Sequence, residues 1–74
     1  MKFQNLLNNL YADQPITVWV RKRTERFPFE AICERCPVAE CYGREWEDYT
    51  VDSIASAYDA VECLHYLEIF LVVD

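Results

Sequence analysis

The stretch PITVWVRKR, beginning at Pro15, alternates without a break: Ile16, Val18 and Val20 fall on one side, Thr17, Trp19 and Arg21 on the other. Period-two spacing with β-branched residues is the mark of a half-buried strand. Such a strand needs a partner for its backbone and apolar cover for its Ile16–Val18–Val20 side. The rest of the chain is read for both.

Two further strands are expected in YTVDSI and LHYLEIFLVV, the second with Leu67, Ile69, Leu71 and Val73 on one face. SIASAYDAVECLHYL also fits a helix, with Ile54, Ala57, Tyr58, Val61 and Leu64 on one face and Asp52 as a cap. A hairpin turning near Tyr58–Asp59 is favoured, because the C-terminal run needs an antiparallel neighbour. TERFPFEA is a candidate fourth strand with Phe27 and Phe29 on one face. Pro28 confines it to a sheet edge or leaves it as extended loop.

Cover for the sheet comes from two helical patterns. In FQNLLNNLY, Phe3, Leu6, Leu7 and Leu10 recur at i, i+3, i+4 and i+7, and the helix should end near Tyr11, before the DQP sequence. From Pro37 onward Val38, Cys41, Tyr42 and Trp46 follow helical spacing, with proline at a favourable first position and an end near WEDY. The expected fold is therefore α+β: an N-terminal helix and a middle helix packed on a three- or four-stranded antiparallel sheet, in a single domain spanning residues 1–74.

A chain of 74 residues buries only roughly 60% of the surface its unfolded form exposes, so it needs support from composition, metal, disulfides or a partner. Its 53% hydrophobic and 15% aromatic content supplies the first and rules out a disordered tail. The N-terminus, MKFQNLLNNLYADQP, is broken by Gln and Asn where a secretory signal has an apolar run. LEIFLVVD is far shorter than the roughly 20 residues of a spanning helix, and Glu68 lies inside it. A cytoplasmic protein with reduced thiols is expected.

The net charge of −6 is unevenly spread. Residues 1–26 carry Lys2, Arg21, Lys22, Arg23 and Arg26 against Asp13 and Glu25, a balance of +3; residues 27–74 carry Arg35 and Arg44 against eleven acids, a balance of −9. An acidic surface repels phosphate, which argues against direct nucleic-acid binding and for a basic protein partner, such as one that normally holds nucleic acid. RKRTER is a short basic strand end, read as a charge-defended edge.

The four cysteines pose the sharpest chemical question. Cys33 and Cys36 form C-x-x-C, the spacing that lets two thiolates reach one zinc ion; Cys41 and Cys63 would complete four ligands, with His65 in reserve. No second C-x-x-C is present, and Cys41 shares a helical face with Val38 and Tyr42, where a small core residue is expected. A redox role is less favoured, since Pro37 follows the pair and no βαβ pattern surrounds it. The simplest reading is four buried or half-buried thiols. His65 is read as structural. The acids show no paired-carboxylate motif, and no nucleophile–base pair or phosphate loop is recognisable, so no enzymatic activity is expected.

The aromatic surplus points to binding. Trp19 lies on the outer strand face, where Trp46, Tyr42 and Tyr66 are candidates to join it. Exposed aromatics carry much of the energy of protein interfaces. Trp19 and Trp46, with the acids Glu45, Glu47 and Asp48, are the candidate partner-binding residues. The competing reading, in which these aromatics cover a second small core, stays open.

The order of segments adds a resemblance. Asp13-Gln14-Pro15-Ile16-Thr17-Val18, Tyr49-Thr50-Val51-Asp52-Ser53-Ile54 and the Leu67–Val73 run resemble a loose class of small uncharacterised proteins of phages and integrated mobile elements in Gram-positive bacteria. The pattern covers most of the chain but rests on hydrophobic alternation, and the cysteine-bearing middle departs from it. The resemblance implies a cytosolic accessory role, as in small acidic anti-defence proteins of the anti-CRISPR kind, which inhibit nucleases by occupying nucleic-acid sites. It carries over no site residue. The reading is thus a phage or mobile-element accessory protein that binds another protein through an acidic, aromatic-bearing surface and inhibits a host nucleic-acid-binding or defence protein. Two alternatives are a small domain with a structural zinc and a homodimeric structural protein.

Overall fold

The computed structural model describes residues 1–25 and 28–74. The alternating stretch forms β1 (Pro15–Lys22), and its three neighbours are β2 (Glu30–Pro37), β3 (Thr50–Asp59) and β4 (Leu64–Val73). The sheet order is β2-β1-β4-β3. β2 and β3 occupy the edges, antiparallel to β1 and β4 respectively.

β1 and β4 run parallel, from Ile16 opposite Leu67 to Lys22 opposite Val73. The sheet is therefore mixed, which corrects the purely antiparallel expectation. The reason lies in the connection between β2 and β3. β2 ends opposite the start of β1 (Pro15 with Pro37), whereas β3 begins opposite the C-terminal end of β4 (Thr50 with Val72). Residues 38–49 must cross the sheet from one end to the other, and the returning hairpin then lays β4 alongside β1 in the same direction.

That crossing also explains why the expected middle helix does not form. β1 has eight residues, about 23 Å at 3.3 Å per step, and the chain must also pass three strand spacings of about 4.8 Å. A helix of this length reaches only about 19 Å. Instead, two 3-10 turns (Val38–Cys41 and Glu45–Asp48) are separated by a stretched break. Tyr42 and Arg44 are extended, with ψ 148° and 154°, and Gly43 supplies φ +78° between them. Val38 and Cys41 are still buried together, because side chains three apart eclipse in a 3-10 turn.

The N-terminal helix α1 (Phe3–Leu7) is shorter than its pattern and is continued by turns to Leu10. Its apolar face is as expected: Phe3 and Leu7 are fully buried, and Leu6 and Leu10 pack against them. The core joins these to Ile16, Val18, Val38, Cys41, Ile69 and Leu71. Backbone bonds secure the layer: Phe3 N–H donates to Tyr49 O at 2.9 Å, Val38 N–H to Gln14 O at 3.1 Å and Ala39 N–H to Ala12 O at 2.9 Å. Lys2 bridges Thr50, so the first residues lie along the outer edge of β3 near its start.

Residues 53–65 adopt the favoured hairpin, with the turn at 60–63, slightly beyond Tyr58–Asp59. The strand expected over 24–31 begins only at Glu30 and continues through both cysteines of the C-x-x-C. The part of that expectation on Arg26 and Phe27 lies outside the described residues. Among the described residues no helix is long and apolar enough to cross a membrane.

Candidate functional site

All helical elements pack on the Ile16–Val18 side of the sheet, so among the described residues no helical layer covers the other side. The parallel register sets its contents. Thr17 lies beside Glu68, Trp19 beside Phe70 and Arg21 beside Val72. Because side chains alternate along each strand, every one of these faces away from the core.

The middle of this open face is aromatic. Trp19 stacks with Phe70, centroids 6.2 Å apart and planes 11° from parallel. Phe29, just before β2, meets Phe70 edge-on at 5.1 Å. Trp19 Nε1–H donates to Glu68 Oε2 at 3.0 Å, which fixes the indole's orientation. The rings are half-buried rather than enclosed. Aromatic pairs of this kind contribute about 0.5–1.5 kcal/mol beyond their buried area.

Two arginines frame the rings. Arg21 lies 5.5 Å over Phe29 and reaches Asp52 at 4.0 Å. Arg35 lies 5.7 Å over Tyr66 and meets Asp59 at 2.7 Å, linking β2 to both strands of the hairpin. Arg35 N–H also donates to Thr17 Oγ1 at 3.0 Å. Between these groups is a depression of about 140 Å³ lined by Thr17, Trp19, Glu34, Arg35, Tyr66 and Glu68. Among the described residues, Arg21 and Arg35 here stand against the four carboxylates Glu34, Asp52, Asp59 and Glu68, so this group of charges is acidic.

The sequence-predicted partner residues do not come together. Trp19 is on the open face, whereas Trp46 packs against the core from the opposite layer, with Arg44 5.6 Å over its ring. Glu45 and Asp48 are exposed there; Glu47 accepts from Gly43 N–H at 2.6 Å, and Asp48 lies 3.8 Å from Lys2 Nζ. Tyr42 is on the helical side too, its hydroxyl donating to Leu7 O at 3.0 Å. Only Tyr66 of the suggested companions joins Trp19.

The cysteines also separate. Cys33 and Cys36 are joined as a disulfide in β2, which replaces the expectation of free thiols for this pair. Cys41 is fully buried, and Cys63 is exposed in the hairpin turn with φ +52°. Desolvation pushes the Cys41 thiol up, Arg44 opposes this and Glu40 adds to it. The His65 ring lies tilted against Tyr58, centroids 4.6 Å apart. Among the described residues no three His, Cys, Asp or Glu side chains gather in a metal-holding group.

Sequence reasoning missed Glu68, Phe70 and Arg35. The first two were visible in the alternation, since Ile69 and Leu71 inside require Glu68 and Phe70 outside. Arg35 had no such signal, because its reach depends on φ +49° in a residue other than glycine. Comparison with protein-family models, curated proteins and solved structures finds no match for this chain.

Proposed function

We propose that this is a protein-binding accessory domain that acts through its open sheet face, with Trp19 and Phe70 at the centre and Glu34, Asp52, Asp59 and Glu68 around them. The observation that carries the reading is the aromatic row Trp19–Phe70–Phe29, stacked at the first junction and edge-on at the second, on a side of the sheet that no helical layer covers among the described residues. A row of this kind, ringed by arginines and carboxylates, has the composition of an interface centre, where Trp, Tyr and Arg dominate. The acidic excess favours a basic partner and hastens its encounter. The finer reading is a partner that normally holds nucleic acid, which the domain inhibits by occupying the same site, as an anti-defence protein of a phage or mobile element would.

The test is a comparison of immobilised wild type with Trp19→Ser and Glu68→Gln variants against host lysate at modest salt. A basic protein retained by wild type, lost on both variants and displaced by added nucleic acid supports the reading. Equal retention by all three, or retention that needs Glu45, Glu47 and Asp48 instead, overturns it. A second copy covering the face would appear as a dimer in sedimentation that Trp19→Ser dissociates.

A further inference from the structure

The link between Cys33 and Cys36 has its origin in an irregularity of β2. Between Ile16 and Val18 β1 advances by two residues, while β2 advances by three, from Cys36 to Cys33. The extra residue makes a β-bulge at Glu34–Arg35, where Arg35 takes φ +49°. In an unbroken strand, side chains three positions apart point to opposite faces. The bulge cancels that and turns both cysteines the same way, with Cα atoms 6.1 Å apart, inside the roughly 4.4–6.8 Å that disulfides span.

The same bulge builds part of the open face. Arg35 N–H is held by Thr17 Oγ1 at 3.0 Å, and Thr17 is only 5% exposed. The guanidinium then reaches across to Asp59 and Tyr66. Arg35 is therefore tied on one side to a short covalent loop and on the other to both strands of the hairpin.

We propose that Cys33 and Cys36 are a reversible thiol–disulfide site whose closed state holds the Arg35 bulge, and through it the contacts of Arg35 with Asp59 and Tyr66. The exchange partner is a low-molecular-weight thiol and its disulfide. A thiolate of the partner attacks one sulfur of the pair, forming a mixed disulfide and releasing the other cysteine as thiolate. A second partner thiolate attacks the mixed disulfide, so two cysteine thiols and one partner disulfide result; the pair has gained two electrons and two protons. With the bond open, nothing covalent holds Arg35 at positive φ, where a side chain is unfavourable. The strand then relaxes toward regular pairing, which turns Cys33 and Cys36 to opposite faces and withdraws Arg35 from the hairpin. The site belongs to the free domain and stands whether or not the open face binds a protein.

The other two cysteines are internal controls. Cys63 is exposed, and Cys41 is fully buried with its thiol held protonated. Wild type is equilibrated in glutathione buffers of graded reduced-to-oxidised ratio, quenched with N-ethylmaleimide and mapped by peptide mass, while the amide and aromatic resonances are followed in parallel. The oxidised domain should label at Cys63 alone, and the reduced domain at Cys33 and Cys36 as well, with Cys41 labelled only after denaturation. Resonances of Arg35, Asp59 and Tyr66 should shift over the same range of ratios. Arg35→Ala should keep the labelling change and lose the shifts at Asp59 and Tyr66. Labelling of Cys33 and Cys36 at every ratio, or shifts confined to residues 33–36, overturns the proposal. Both readouts exist in wild type, so the test survives a variant that fails to fold.

Discussion

Replacing one aromatic on each side of the sheet decides whether the open face is a surface or a second core. Phe3 has no exposed surface and sits at the centre of the core with Leu7, Ile16 and Ile69. Phe3→Ala removes a fully buried ring, a change that costs about 3–5 kcal/mol. A domain of 74 residues is stable by only roughly 4–11 kcal/mol, so this variant should be at the edge of unfolding. Trp19 is half-buried, and Trp19→Ala forfeits its stacking on Phe70 and one part-buried hydrogen bond to Glu68. Its cost should be about 2–3 kcal/mol, from roughly 1 kcal/mol of apolar area that half-burial keeps from water, a stacking contribution near 1 kcal/mol and a hydrogen bond of similar size weakened by solvent. Urea titration followed by far-ultraviolet circular dichroism measures both. With a slope near 1 kcal/mol per molar for a domain this small, Trp19→Ala should lower the midpoint by about 2–3 M and Phe3→Ala by about 3–5 M. Equal losses for the two variants would refute the one-sided core and make the aromatic row a packing layer rather than a binding face.

Three further outcomes are expected. Gly43→Ala should cost about 1 kcal/mol by urea titration, because φ +78° penalises any Cβ although nothing lies within 4 Å of it; no loss would mean the break between the 3-10 turns is not needed. The Cys41 thiol lies above its ordinary value of 9.0, chiefly through burial. Below that value the thiol is protonated in both folded and unfolded chains, and its stabilising contribution is intact. Above it the unfolded thiol ionises first, so stability falls as pH rises toward the folded value, by up to about 1.4 kcal/mol per unit. Wild type should therefore lose more stability than Cys41→Ala between pH 8 and pH 10, and parallel losses would contradict the burial. Because Cys33 and Cys36 are bonded to each other, while Cys41 is buried and Cys63 is exposed in the hairpin turn, EDTA should leave the thermal melt of purified protein unchanged; a lowered Tm restored by zinc would refute this and support a structural metal.

The legible part of this protein is what repeats locally. Ile16, Val18 and Val20 against Thr17, Trp19 and Arg21, and Leu67, Ile69 and Leu71 against Glu68 and Phe70, define strands and their two faces, since alternation is a property of one strand alone. Phe3, Leu6, Leu7 and Leu10 likewise define the helix face that covers them. The hairpin over β3 and β4 follows because its two strands adjoin in sequence.

What joins distant segments was not legible. Alternation carries no strand direction, so the parallel pairing of β1 with β4 emerged only from where residues 38–49 must travel. The same journey stretched Tyr42–Arg44 and replaced the expected middle helix with two 3-10 turns. It also left Trp46, Glu45, Glu47 and Asp48 on the opposite layer from Trp19. The C-x-x-C spacing suggested a ligand pair, but the facing of Cys33 and Cys36 depends on one extra residue in β2 relative to β1. For the alternating stretches of β1 and β4 and for α1, sequence by itself determined which side chains point in and which point out. Tertiary structure decided which outward side chains meet, because strand order, direction and bulges arise between segments, where no single stretch of residues holds the information.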